Sequence, residues 1–121
     1  EKKEAAERER QLTQKDWTMA ELMERGEKAY QTACAACHQP NGQGAPPAFP
    51  SLVGTQVVTE DMAAHIDIVV NGVSGSAMQA FGNQLSEVDL AAVITYERNA
   101  WGNNTGEMVT PKEIFDYKNQ Q

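Results

Sequence analysis

The chain places its only two cysteines three residues apart and follows the second with a histidine: Cys34-Ala35-Ala36-Cys37-His38. This C-x-x-C-H spacing is an attachment sequence for c-type haem. The two thiols add across the haem vinyl groups as thioethers, and the adjacent histidine becomes the proximal iron ligand. Two intervening residues let both sulfurs reach one edge of the porphyrin, while the next residue swings under the iron. Taken alone, C-x-x-C also fits a redox dithiol, half of a zinc site or a disulfide. A thioredoxin-like dithiol belongs to a βαβ pattern, which is absent from this sequence. Zinc takes about four ligands, and beyond the two cysteines the chain offers only His38 and His65. The motif therefore constrains the fold to one built around a single haem c and its iron.

A chain of 121 residues with 7% aromatic content implies one domain with a small core of its own. A covalently held haem would serve it as apolar centrepiece and staple. The formal net charge of −7 argues against nucleic acid, whose footprint is a basic patch. It fits a partner with a basic face, or solubility alone. No run of about 18 apolar residues is present, so no membrane span is expected in this chain. Its opening, Glu1-Lys2-Lys3-Glu4, reads as a cut inside a longer polypeptide.

Residues 1–16 interleave Glu with Lys and Arg and lack an apolar stripe, the texture of a solvated helix or linker. Thr18-Met19-Ala20-Glu21 fits a capping box, opening a helix to about Ala33 that delivers Cys34 at its end. Prolines and glycines between Gln39 and Gly54 exclude regular helix and predict a loop around one haem edge. Thr59 is expected to cap a second helix over 60–70, stopped by Asn71-Gly72. Residues 73–84 form another loop. Ser86 opens a third helix to about Asn99, with Leu90, Val93, Ile94 and Glu97 on its inner face. Thr110-Pro111-Lys112-Glu113 caps a short final helix. No segment reads as a strand, so the fold is expected to be all-α.

An iron held by His38 needs a second axial group or an open site. Of Met19, Met23, Met62, Met78 and Met108, only Met78 sits in a loop among small residues, where a thioether can fold over the open face. His65 competes as a ligand, but is expected instead as a partly exposed helix residue. A proline carbonyl from the Gly44–Leu52 loop is a natural acceptor for the second ring nitrogen of His38, and Pro46, Pro47 and Pro50 are all available. Arg98 is expected at the surface in preference to a propionate, and Trp101 as a packing residue.

With these residues the chain resembles a class I cytochrome c domain, a fold of three to five helices around the haem. Gly26-x-x-x-Tyr30 is similar to the small-plus-aromatic pair where the first and last helices cross, with Val93, Ile94 and Tyr96 as expected partners. Pro50-Ser51-Leu52-Val53-Gly54 resembles the family's Pro-x-Leu-x-Gly segment, which implies that Pro50 accepts from His38. Further segments resemble the cytochrome c domain fused to subunit II of bacterial caa3-type oxidases: Asp16-Trp17-Thr18, Cys37 to Gly44, Pro46 to Pro50, Ile66 to Gly72, Ala77 to Gly82, and Thr95 to Asn103. Gln79 stands where many small cytochromes have proline after the methionine ligand.

That resemblance implies that residues 1–16 are a linker from an upstream copper-binding domain and that 17–121 are the cytochrome domain. It implies a one-electron carrier on the periplasmic face of the inner membrane, soluble as this piece. Electrons would come from a donor cytochrome c or a quinol-oxidising complex and pass to the dinuclear copper centre, beside other oxidase subunits. The alternatives are a free periplasmic cytochrome or the haem domain of a dehydrogenase. A peroxidase or gas sensor would need an open iron and a distal acid–base group. No nucleophile–base constellation suggests catalysis by this chain.

Overall fold

A computed structural model describes residues 2–120 as seven helices joined by loops: α1 (Lys2–Gln14), α2 (Met19–Ala33), α3 (Ala35–His38), α4 (Gln56–Thr59), α5 (Met62–Asn71), α6 (Glu87–Asn99) and α7 (Pro111–Asn119). Glu1 and Gln121, the outer ends of the two expected segments, lie outside the described residues. Among the described residues there is no strand, only an isolated bridge between Ala45 and Phe49. The count exceeds the expected three to five because α3 and α4 are single turns and α1 is helical. No described helix is long and apolar enough to cross a membrane.

The frame is the crossing of α2 and α6, the most extensive helix pair. The Thr18 capping box forms as drawn from the sequence, with hydroxyl and Glu21 carboxylate each meeting a backbone amide. Leu22, Gly26 and Tyr30 recur every fourth residue and are the buried residues of α2. At Gly26 any side chain would collide with the Ala92 carbonyl and lie 2.7 Å from Tyr96 Cβ. Of the expected partners, Tyr96 is at this crossing, but Ala92 takes the place given to Val93 and Ile94. The reason is the i, i+4 row: Ala92 and Tyr96 face α2 together, while Val93 turns to a cavity on the other side.

Helix α6 is buried from Leu90 through Arg98, not along one stripe, because α2, α5 and α7 all pack on it. Arg98, expected at the surface, is 1% exposed. Its guanidinium donates to the Val58 carbonyl at 2.9 Å and pairs with Glu107, which makes burial tolerable. The α5 start also differs from expectation. The Thr59 hydroxyl donates back to Thr55 O at 2.8 Å, closing α4. Asp61 is the N-cap instead, accepting from Ala64 N at 3.0 Å.

Helix α1 lies against α7 and α6. The Trp17 indole donates to Leu12 O at 2.7 Å, the Lys15 ammonium sits 4.3 Å from the Trp17 ring centroid, and Arg25 bridges Glu9 to Asp89.

Candidate haem site

Helix α2 ends where the attachment sequence begins. Cys34 is its C-cap, and its amide still bonds Tyr30 O. One turn, α3, then carries Ala35 to His38. The chain reverses through Gln39 to Gly44, and three contacts pin it. The Tyr30 hydroxyl donates to Gln39 O at 2.6 Å. The Trp101 indole donates to Pro40 O at 3.0 Å, and its ring lies against Gly42, where a Cβ would be 2.5 Å away. Trp101 also packs on Tyr30 and Tyr96, with ring centroids 4.9 and 5.5 Å apart. Its packing role thus has a specific object, the loop after His38.

That loop returns to the motif. Gly44 N bonds His38 O at 2.8 Å, and Leu52 N bonds Gly42 O at 2.7 Å. The result holds Pro50 O 2.9 Å from His38 Nδ1, which fixes the ring and leaves Nε2 as its free nitrogen. Pro46 and Pro47 make no such contact. Asn103 clips the far end of the loop to α6, accepting from Gly54 N and donating to Leu52 O and Glu97 O.

A cavity of about 460 Å³ opens beside these elements, within the range of a cofactor pocket. Cys34, Cys37, His38, Pro50 and Met78 all line it. Met78 is the one methionine of the five in that lining. Its loop is closed on itself by Val73 N to Met78 O at 3.0 Å. It also rests on Gly72, where a Cβ would meet the Met78 and Gln79 backbone at 2.8 Å. The two cysteines are not joined in a disulfide. Burial, then the Glu97 and Cys37 charges, push the Cys34 thiol well above its ordinary range. Among the described residues no three His, Cys, Asp or Glu side chains cluster as a metal site, which leaves the zinc reading of C-x-x-C without its further ligands.

The lining fits a porphyrin in its chemistry as well. Apolar side chains dominate it, among them Leu52, Val57, Ile68, Val69, Phe81 and Val93. No Asp, Glu, Lys or Arg occurs between Lys28 and Glu60, or between Asp67 and Glu87. Those two segments supply nearly all of the lining, so the acidic net charge resides elsewhere on the molecule. The exception is Glu97, which lines the cavity with His65. His65 is 3% exposed and its Nε2 lies 2.7 Å from Glu97 Oε1. The expected partly exposed histidine is therefore buried, because Glu97 on the facing helix satisfies it.

Comparison with known proteins follows the same lines. Residues 21–96 match the family model described as cytochrome C oxidase, cbb3-type, subunit III. The chain is 34% identical over 99 residues to the alcohol dehydrogenase (quinone) cytochrome c subunit of Gluconobacter oxydans (strain 621H), covering 74% of this chain and 21% of that protein. It is 32% identical over 90 residues to cytochrome c-552 of Thermus thermophilus, covering 64% of this chain and 68% of that protein. It is 28% identical over 107 residues to the gluconate 2-dehydrogenase cytochrome c subunit of Pantoea cypripedii, covering 79% and 24%. The chain spans about a fifth to a quarter of the dehydrogenase subunits it matches. With the family model covering more than half of its residues, the chain belongs to the cytochrome c family, as an all-helical electron-carrier domain that binds haem c.

Proposed function

We propose that this domain is a one-electron relay in a larger respiratory assembly. In this reading Cys34 and Cys37 would carry the covalent attachment, and His38 and Met78 would hold the iron. The observation that supports it is the shared cavity, in which both thiols, the Pro50-oriented His38 and the looped Met78 meet. Haem c supplies the one-electron couple. The polypeptide does the rest. Pro50 O holds the His38 ring, with the second nitrogen free for iron. The α2–α6 crossing fixes the wall that carries the thiols, and the apolar lining keeps water out. A fixed ligand pair leaves little to rearrange when the charge changes.

The assembly itself has two readings. The relatives named as cytochrome c subunits of dehydrogenases favour a haem domain that accepts electrons within such an enzyme, or a free periplasmic carrier. The motif set from Asp16 to Asn103 favours the second, the domain fused to oxidase subunit II, with residues 1–16 as linker from a copper-binding domain and electrons passing to dinuclear copper. The dehydrogenase-subunit and oxidase readings both put the chain in the periplasm beside partner subunits, whereas a free carrier would meet its partners only transiently. Stopped-flow mixing separates them. Rapid oxidation of the reduced domain by an isolated dinuclear-copper domain supports the oxidase reading. Reduction by a quinone-dependent dehydrogenase core, without oxidation by copper, supports the other.

The ligand set is tested by absorption spectra of the haem-loaded chain. Low-spin bands and no carbon monoxide binding by the reduced form are expected. Met78→Ala should open the sixth position and bind carbon monoxide readily. An unaltered spectrum without binding removes Met78 from the ligand list.

A further inference from the structure

The wall of the haem cavity holds one buried polar pair that the ligand set does not use. His65 on α5 and Glu97 on α6 are 3% and 4% exposed, and both line the cavity. His65 Nε2 lies 2.7 Å from Glu97 Oε1, while His65 Nδ1 is buried with no hydrogen-bond partner among the described residues. That asymmetry locates the proton. A proton on Nδ1, in the neutral ring or in imidazolium, would leave a buried N–H without an acceptor, a rare and costly orphan. A bare lone pair is the cheaper one. The N–H therefore sits on Nε2 and donates to Glu97 Oε1.

Among the described residues, no Lys or Arg pairs with this side chain. Arg98, its neighbour in sequence, turns to the Val58 carbonyl and Glu107. Glu97 is the one formally charged side chain in a lining otherwise drawn from uncharged segments. Its field reaches the attachment wall: after burial, Glu97 is the next cause that pushes the Cys34 thiol and the Tyr30 phenol upward.

We propose that Glu97, held by His65, is a fixed buried negative charge that lowers the reduction potential of the haem bound in this cavity. The inference rests on the electron-carrier reading above. A nearby anion favours the oxidised form, which carries one more positive charge, and the low dielectric of the lining strengthens that preference. His65 is a positioning residue: its N–H holds the Glu97 side chain turned toward it in an otherwise apolar wall. Because both sit on packed helices, the bias is built in and needs no movement on reduction.

The test is an optical redox titration of the haem-loaded full chain, with Glu97→Gln and Glu97→Asp alongside. If the charge acts on the iron over on the order of 10 Å through an effective dielectric of ~20, its removal changes the reduced-to-oxidised ratio by roughly tenfold. That reads as an upward midpoint shift of about 59 mV for one electron. Glu97→Asp, which keeps the charge, should stay near the parent value. An unchanged or lowered midpoint in Glu97→Gln, with its low-spin spectrum intact, overturns the proposal. A parent chain without a low-spin spectrum overturns the ligand reading instead, so the two failures are distinguishable. Should Glu97→Gln not retain haem, redox-difference infrared spectra of the parent chain decide. A carboxylate stretch supports the proposal, and a protonated-acid carbonyl that responds to reduction refutes it.

Discussion

Gly26→Ala is the most stringent probe of the frame that carries the attachment site. A methyl at residue 26 would lie 2.7 Å from Tyr96 Cβ and closer still to the Ala92 carbonyl, whereas carbon atoms pack at about 3.5–4.0 Å. Helices α2 and α6 must therefore part by about 1 Å along their most extensive contact. The obstacles are backbone and Cβ atoms, which cannot rotate away, so the cost belongs at the upper end of overpacking, about 3 kcal/mol. Alanine returns about 1 kcal/mol of helix propensity over glycine, leaving a net loss of about 2 kcal/mol. At on the order of 4 °C per kcal/mol for a chain of this length, the melting temperature of the haem-loaded domain should fall by about 8 °C. Thermal and urea unfolding followed at the haem band measure it, with an unchanged midpoint slope expected in urea because the surface exposed is the same. A Gly26→Ala variant as stable as the parent, or more so, refutes the close crossing.

Two further outcomes follow from charge. The Lys15 ammonium, with the Thr18 amide, holds the Glu21 carboxyl down from 4.5 to about 2. Since the folded state favours the ionised form, this contact stabilises above about pH 4.5 and is lost as pH falls toward 2. Glu21→Gln should therefore flatten the acid limb of melting temperature against pH within that window, and parallel limbs for the two proteins would sink the argument. Second, the uncharged segments around the cavity predict that electron exchange with a redox partner is only weakly steered once distal charges are screened. Rates should change less than about threefold between roughly 0.1 and 0.5 M salt, where the screening length is already short. A tenfold fall across that range would mean that charged groups frame the docking face after all.

How much was legible in the sequence depended on how local each cause was. The capping boxes at Thr18 and Thr110 need only residues within one turn, and both form. The α2–α6 crossing was visible as Gly26 with Tyr30, but its register was not. Which of Ala92, Val93 or Ile94 faces the glycine depends on how α6 is rotated, and the cavity settles that by drawing Val93 to itself. Thr59 and Asp61 are both good caps two residues apart. The choice between them follows from the α4 turn, which takes the Thr59 hydroxyl for Thr55 and which no periodicity announced.

The misplaced residues share one physical cause. His65 and Arg98 are polar, and a polar residue read alone belongs at the surface. Each is buried because a partner remote in sequence satisfies it: Glu97 for His65, and Val58 O with Glu107 for Arg98. The signal was nevertheless present in the spacing. Val69 follows His65 by four residues and Glu97 follows Val93 by four, and both valines line the cavity with them. Two polar residues on the apolar rows of two facing helices can remain there only if they find each other. That condition leaves the buried carboxylate of Glu97 beside the one cofactor this fold holds, which is why its charge should be read at the iron and not only in stability.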